Sequence, residues 1–432
     1  MKTIKFFLLV PLMLTCVLSQ AQTTSNQNSP RLIEGKVSDV GLSSERLARI
    51  DSMCLEAIHK GQLPGIVVLV SRNGKIVYHK AFGTSNATTK KKLQKDDIFR
   101  LASQSKAITA TAVMMLWEDG KFRLDDPISK YIPEFKNPIV LDSLLSDGTY
   151  LTTPAKNEIT IRHLLTHTSG IGYGVIDGDE RIKKIYDEAG IVDLFTTKKI
   201  TIGENIKKLA KLPLHHNPGD AFTYSESYDV LGYFVEIISG VPFDIFLRKH
   251  IFDPLEMDDT WFYLPQAKAH RLVSVQTKKE DQWINYPITF YNPQYPIKGE
   301  KQFFSGGAGL SSTALDYAKF LQMYLNNGEL NGVRLLSRTT VKVILANHIG
   351  NLWDEDAGAH YGLAFMVQNQ NGEDSGGSGS IGTFSWGGYF NTQYFADPKE
   401  QIIGIILKQT QNINSDQTGW KFPLLVEQSV DD

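Results

Sequence analysis

Cysteine is nearly absent: the 432-residue chain holds two, Cys16 and Cys54. Cys16 sits in an N-terminal apolar run, which leaves Cys54 alone in the body of the chain and excludes an internal disulfide there. An excess of charge of either sign is missing as well. Lys and Arg total 45 against 47 Asp and Glu, a formal net charge of −2, which argues against a nucleic-acid partner. Long hydrophobic runs are also lacking. The run over residues 6–18 is too short to cross a bilayer as a mature helix, so no stable membrane span is expected. His163 and His167 stand four apart without the acidic residue of an H-E-x-x-H pattern and without cysteine partners. They read as hydrogen-bonded structural histidines, with no metal and no cofactor implied. Residues 371–382 are rich in Gly and Ser but lack G-x-x-x-x-G-K-[ST], and read as a mobile loop. No internal repeat is present.

What is present begins with Lys2 and Lys5 ahead of the apolar run and the small residues Ser19 and Ala21 before a cut. Residues 1–21 therefore read as a secretory signal peptide, which implies an exported protein, periplasmic or secreted. A lipidated Cys16 is the weaker alternative, because Leu14, Thr15, Val17 and Leu18 flank it poorly. Cleavage removes two lysines and moves the formal charge from −2 to −4. Residues 22–40 are polar, contain Pro30, and read as a flexible leader. Apolar residues make up 42% of the chain, enough for one large or two intimate domains. Cys54, among Leu47, Ile50, Met53, Ala57 and Ile58 on an amphipathic helix, reads as a small core hydrophobe. Asn73-Gly74 between two β-rich runs predicts a hairpin. Residues 361–367, 383–389, 392–396 and 402–408 read as strands, 314–326 and 337–345 as helices, and 116–265 as mostly helical with long loops.

The richest chemistry lies at Ser103-Gln104-Ser105-Lys106. Apolar Ile108, Val113, Met115 and Leu116 predict one helix from here to about Gly120, buried on more than one side. Ser103 stands at its start and Lys106 three residues on, so one turn returns the amine to the hydroxyl. A hydroxyl becomes a useful nucleophile when a neighbouring base takes its proton, and a lysine can do so when neutral. Burial and the positive end of the helix dipole both disfavour the ammonium. A bare S-x-x-K is more often an N-cap serine followed by a solvated lysine, so the weight falls on what accompanies it.

Four more motifs follow in order: Leu164-Leu165-Thr166-His167-Thr168-Ser169-Gly170, Tyr224-Ser225, Gly306-Gly307-Ala308-Gly309-Leu310-Ser311-Ser312 and Trp386-Gly387-Gly388. With Ser103-x-x-Lys106, the set resembles the serine β-lactamase and penicillin-binding-protein superfamily over about 41–411. The likeness is to its class C β-lactamase, D-Ala-D-Ala carboxypeptidase and family VIII esterase-like branch. The resemblance implies an α+β fold of the β-lactamase/transpeptidase kind. An antiparallel sheet flanked by helices would be built from both chain ends, about 41–110 and 300–415, beside an all-helical lobe, about 111–299. The domain would span 41–415, with a C-terminal tail over 416–432. The resemblance further implies Ser103 as the acylated nucleophile, Lys106 as its proton acceptor and Tyr224 as second general base or acid. The backbone N–H groups of Ser103 and Tyr389 would form the oxyanion hole, and Glu226, Trp386, Gly387 and Gly388 would face the substrate.

Two departures from the family pattern bear on substrate. Its Tyr-x-Asn reads here with Glu226 in the third place, and its Lys-Thr-Gly reads Trp386-Gly387-Gly388. The missing lysine helps hold the carboxylate of penicillins, cephalosporins and D-alanyl peptides. A tryptophan cannot do so, and a nearby glutamate would repel that group unless it turns away or pairs with Lys106. The expected activity is that of an exported serine hydrolase working through an acyl-enzyme on Ser103. It would be an esterase, or an amide hydrolase or acyltransferase, with a small ester, amide or peptide substrate. The alternatives are a β-lactamase or D-Ala-D-Ala carboxypeptidase and, in another class, a non-catalytic binder of cell-wall peptides. The sequence fixes no oligomeric state.

Overall fold

The structure is a computed structural model that describes residues 25, 29–353, 358–376 and 379–432; the expected signal peptide and Cys16 lie outside them. A nine-stranded sheet organises the chain. Its strands are β1 (Ile33–Glu34), β2 (Gly65–Arg72), β3 (Lys75–Asn86), β4 (Lys91–Lys92), β5 (Ala359–Tyr361), β6 (Met366–Gln368), β7 (Phe384–Gly388), β8 (Thr392–Asp397) and β9 (Ile402–Leu407). They run in the order β1-β3-β2-β9-β8-β7-β6-β5, with β4 against β3. Only β1 pairs in parallel. The turn at Asn73-Gly74 forms as expected, with φ of 52° and 73°, the backbone of a two-residue hairpin loop. Antiparallel pairing of β2 with β9, from Leu407 opposite Val67 to Ile402 opposite Arg72, joins the two chain ends.

Alternation along β2 sorts its buried side chains between two cores. Ile66, Val68 and Val70 point to a core shared with Ile50, Met53, Cys54 and Ala57 of α1 (Arg49–His59) and with Phe422 and Val426. Val67 and Leu69 point to the larger core of α2 (Ser105–Glu118), α3 (Ser227–Ser239) and α4 (Ala314–Leu325). Each large apolar side chain contributes about 1.5–3 kcal/mol by leaving water. Cys54 is the core hydrophobe its neighbours suggested, and burial, then the charge of Asp51, pushes its thiol up to about 12. Among the described residues no single helix is long and apolar enough to cross a membrane.

Five expectations are corrected. The leader read as flexible to residue 40 joins the sheet at Ile33–Glu34, beside Lys75 and Ile76. The run 361–367 is not one strand but the pair β5 and β6, with Tyr361 opposite Met366. Gly362 N–H donates to the Phe365 carbonyl at 2.8 Å and Ala364 takes a φ of 78°, so a glycine in an apolar run marked a turn. The middle of the chain is not all-helical. It holds two hairpins, Ile139–Leu144 with Tyr150–Pro154 and Gln276–Lys279 with Gln282–Asn285. The expected tail contains α5 (Thr418–Glu427), which buries Phe422 and Val426 against the outer face of the sheet. Part of the Gly- and Ser-rich stretch is a helical turn, Gln370–Asp374, capped by the Asn369 side chain.

Candidate active site

From Asp97 to Met114 every residue is buried except Ser103. Ala102 carries a φ of 46°, a left-handed conformation that costs a non-glycine residue energy and recurs at functional sites. It swings the chain into a 3-10 turn over Ala102–Gln104, and α2 starts at Ser105, so Ser103 precedes the helix instead of capping it. The loop after Ser305 is tied to this start. Leu310 N–H donates to Ser105 Oγ at 3.1 Å, and Thr109 Oγ1 donates to the Gly306 carbonyl at 2.7 Å. Gly306 has to be glycine, because a Cβ would overlap the Tyr228 carbonyl oxygen.

Lys106 is fully buried. Its Nζ lies 3.3 Å from Ser103 Oγ, 3.1 Å from the Tyr173 hydroxyl and 2.9 Å from the Gly307 carbonyl oxygen. Asp229 sets that last acceptor by taking the Gly307 N–H at 2.8 Å and the Ser305 hydroxyl at 2.7 Å through Oδ1. Burial pushes the Asp229 carboxyl up to about 6, against the pull of those two donors and of Lys106.

Tyr224 lies with its ring centroid 4.6 Å from Lys106 Nζ. Its hydroxyl accepts the indole N–H of Trp386 at 3.1 Å, and its ring packs on His167 at 4.4 Å. His167 Nδ1 accepts the Ser225 N–H at 3.2 Å. Burial, then the charge of Lys106, holds the His167 ring well below the usual histidine range, so the ring stays neutral. His163 Nδ1 accepts the Thr160 N–H at 3.3 Å in a capping box. Both histidines are hydrogen-bonded within the scaffold, as read from the sequence.

Tyr173 was missed from the sequence. Its hydroxyl touches Lys106 directly, where Tyr224 offers its ring face. Burial, then Tyr224, holds the Tyr173 hydroxyl well above its ordinary value, so it remains a proton-bearing partner. The available signal was a tyrosine between Gly172 and Gly174, three residues beyond the Thr168-Ser169-Gly170 motif.

The end of β7 lies against the segment entering Ser103. A Cβ at Gly388 would overlap the Leu101 carbonyl oxygen, so glycine permits the approach that brings Tyr389 into the cavity with Ser103. The Gln411 side chain donates to the Tyr389 carbonyl. Ser103, Tyr389, Gly387 and Gly388 line one cavity of about 960 Å³. Ala102, Tyr173, Ile176, Leu194, Tyr224 and Trp386 wall it around Ser103, and no described lining residue is charged. Glu226 does not line it. Expected to face substrate, this residue is 1% exposed and turned into the protein, and Lys106 has other partners.

A profile of the Beta-lactamase family matches residues 48–427. Protein Rv1367c of Mycobacterium tuberculosis is 32% identical over 374 residues, spanning 82% of this chain and 88% of the relative. Esterase EstB of Burkholderia gladioli is 28% identical over 374 residues, spanning 84% of this chain and 90% of the relative. Among solved structures, EstCE1, a hydrolase with promiscuous acyltransferase activity, matches with a TM-score of 0.74 at 26% identity, covering 90% of this chain and 99% of that one.

Proposed function

Because the chain belongs to the β-lactamase family of serine hydrolases, we propose that it cleaves uncharged esters, or amides without a free carboxylate, through an acyl-enzyme on Ser103. The observation that carries this reading is the uncharged, aromatic wall around Ser103. A β-lactam or D-alanyl peptide would bring a carboxylate into a site with no cationic side chain on its described lining, and burying such a charge unpaired is expensive. An apolar acyl or alcohol group meets Trp386, Tyr173 and Leu194 at no such cost. The similarity to esterase EstB and to EstCE1 supports the same reading.

The proposed chemistry follows from three oxygens around one nitrogen. When Lys106 is neutral, two of its tetrahedral positions serve Gly307 and Tyr173 and the third, its lone pair, faces Ser103 Oγ. Ser103 attacks the ester carbonyl and its proton passes to Lys106. The oxyanion that forms takes the backbone N–H groups of Ser103 and Tyr389; one such donor contributes about 2.7–4 kcal/mol in a comparable enzyme. The Tyr224 hydroxyl protonates the departing alkoxide as the C–O bond breaks. The phenolate left behind is stabilised by the Lys106 ammonium and by the Trp386 N–H until the Lys106 proton restores it. In deacylation Tyr224 passes its proton to the neutral Lys106 as it takes that of the attacking water, or of a second alcohol, and Lys106 returns a proton to Ser103 Oγ as the acyl C–O bond breaks. Hydrolysis and acyl transfer differ only in which hydroxyl attacks.

The test is kcat/KM for p-nitrophenyl butyrate against a chromogenic cephalosporin on the purified enzyme. The ester is expected to be the better substrate by about a hundredfold or more, the scale set by an unpaired buried charge. A cephalosporin value equal to or above the ester value overturns the reading in favour of a β-lactamase. Export through residues 1–21 belongs to the same proposal. N-terminal sequencing of the mature protein is expected to begin at Gln22, and an intact Met1 in the cytoplasmic fraction would contradict it.

A further inference from the structure

Glu226 is a buried acid that the proposed chemistry does not use. Its own N–H donates to the Gly172 carbonyl at 3.2 Å, at one end of the loop that carries Tyr173. At the other end Asp193 accepts the Gly174 N–H at 3.0 Å and the Val175 N–H at 2.5 Å. Asp177 takes the Tyr173 N–H itself at 2.7 Å. Neither Glu226 oxygen meets an N–H or hydroxyl donor; the neighbour it faces is the Asp193 carboxyl. Two carboxyl groups packed together out of water cannot both ionise, and one proton between them makes a hydrogen bond. Asp193 already accepts two backbone N–H groups, which leaves the Glu226 carboxyl, whose oxygens meet no other donor, to supply the O–H.

We propose that Glu226 donates a carboxylic O–H to Asp193, clasping the Tyr224–Glu226 segment to the Gly172–Val175 loop so that the two tyrosines are held on either side of Lys106. Glu226 is thus a positioning residue for the reaction proposed above, on which this inference rests, and the asparagine of the family pattern is replaced by an acid that works without its charge. Burial, then the charge and hydrogen bond of Asp193, then Asp229, hold the Glu226 carboxyl well above the usual range, while Lys106 pulls the other way. The remaining titratable groups around it are Tyr173 on the loop and Tyr186 on the helix Glu180–Glu188. Both are held protonated by burial.

The sign of the pH effect follows. A carboxyl raised in the folded state contributes stability that is complete below its ordinary value of 4.5. That stability is lost as pH rises toward the folded value, because the native state then binds the extra proton. Glu226→Gln keeps an N–H donor and cannot ionise, so its Tm should gain on the unmodified protein as pH is raised above that value.

Three readouts test the clasp. Glu226→Ala should lower kcat by about ten- to a hundredfold with KM little changed, and Glu226→Gln should restore kcat to within about threefold. Isotope-edited infrared difference spectra provide a reading independent of turnover. In the difference spectrum between the unmodified protein and Glu226→Gln, a protonated-carboxyl band should persist as pH is raised past the ordinary glutamate value of 4.5. An absent band, a Glu226→Gln variant as impaired as Glu226→Ala, or a Tm difference that does not grow with pH overturns the clasp. The infrared and thermal readings hold even if the enzyme proves not to cleave esters, so the two proposals fail separately.

Discussion

Two lysines are wholly buried among the described residues, Lys106 and Lys408, and they are held in opposite ways. Lys408 sits 2.6 Å from Asp416 and donates to Thr418 Oγ1 at 3.0 Å. Asp416 also takes the Asn391 side-chain N–H at 2.9 Å and the Thr418 N–H at the start of α5 at 2.8 Å. If the Lys408 proton left, a buried carboxylate would be stranded. Lys106 has only a serine hydroxyl, a tyrosine hydroxyl and a peptide carbonyl as direct partners. None of these direct partners carries a charge, and the nearby Asp229 reaches it only through the Gly307 peptide. The same side chain, equally buried, is a structural clamp where its partner is charged and, in the proposed reaction, a proton carrier where its direct partners are neutral.

Replacing each lysine should separate these roles. Lys106→Met is expected to lower kcat by about a thousandfold or more, the upper range for a general base, with a smaller loss of stability than at Lys408, because its direct partners are neutral. Adding Tyr224→Phe should cost little further, because residues acting as one relay are not additive. Losses that simply add in log kcat would assign the two residues to separate steps. Lys408→Met should do the reverse, costing about 3–5 kcal/mol of stability by leaving Asp416 unpaired while the folded fraction keeps its kcat. Chemical denaturation with parallel kinetics reads both quantities. Tyr173→Phe, which removes one hydroxyl from Lys106 and keeps the ring, should lower kcat by about tenfold.

The smallest expected effect concerns acid. Asp416 is held below its ordinary value of 3.8, with burial opposing and Lys408 then favouring its charge. A depressed carboxyl contributes stability that is present above that ordinary value and lost as pH falls through the folded value. Asp416→Asn should therefore be destabilised relative to the unmodified protein at neutral pH and approach it under strong acid. A Tm gap independent of pH would show that the pair carries no linked proton.

How much of this was legible in the sequence differs from residue to residue. Ser103 and Lys106 could be read because helical spacing alone brings them together. The hairpin at Asn73-Gly74 could be read because its turn demands positive φ at both places. Tyr173 could not, since its contact with Lys106 spans 67 positions and depends on a loop shaped by Asp177 and Asp193. Glu226 was placed on the substrate side by its neighbour Tyr224. The chain enters α3 at Glu226, and the change of backbone direction there turns its side chain inward. Trp386 was expected to face the substrate, but its N–H to the Tyr224 hydroxyl needs a distance only the fold supplies. The helix α5 was hidden by Pro423 in its interior, a residue that removes a helical hydrogen bond and ordinarily ends such a pattern.

Acylation of Ser103 is read most directly by intact and peptide mass spectrometry of the Tyr224→Phe variant mixed with p-nitrophenyl butyrate. Slowed deacylation should let a single butyryl group accumulate, mapped to the peptide containing Ser103 and absent when Ser103→Ala is added. No adduct on that peptide, together with undiminished turnover by Ser103→Ala, would rule out Ser103 as the nucleophile.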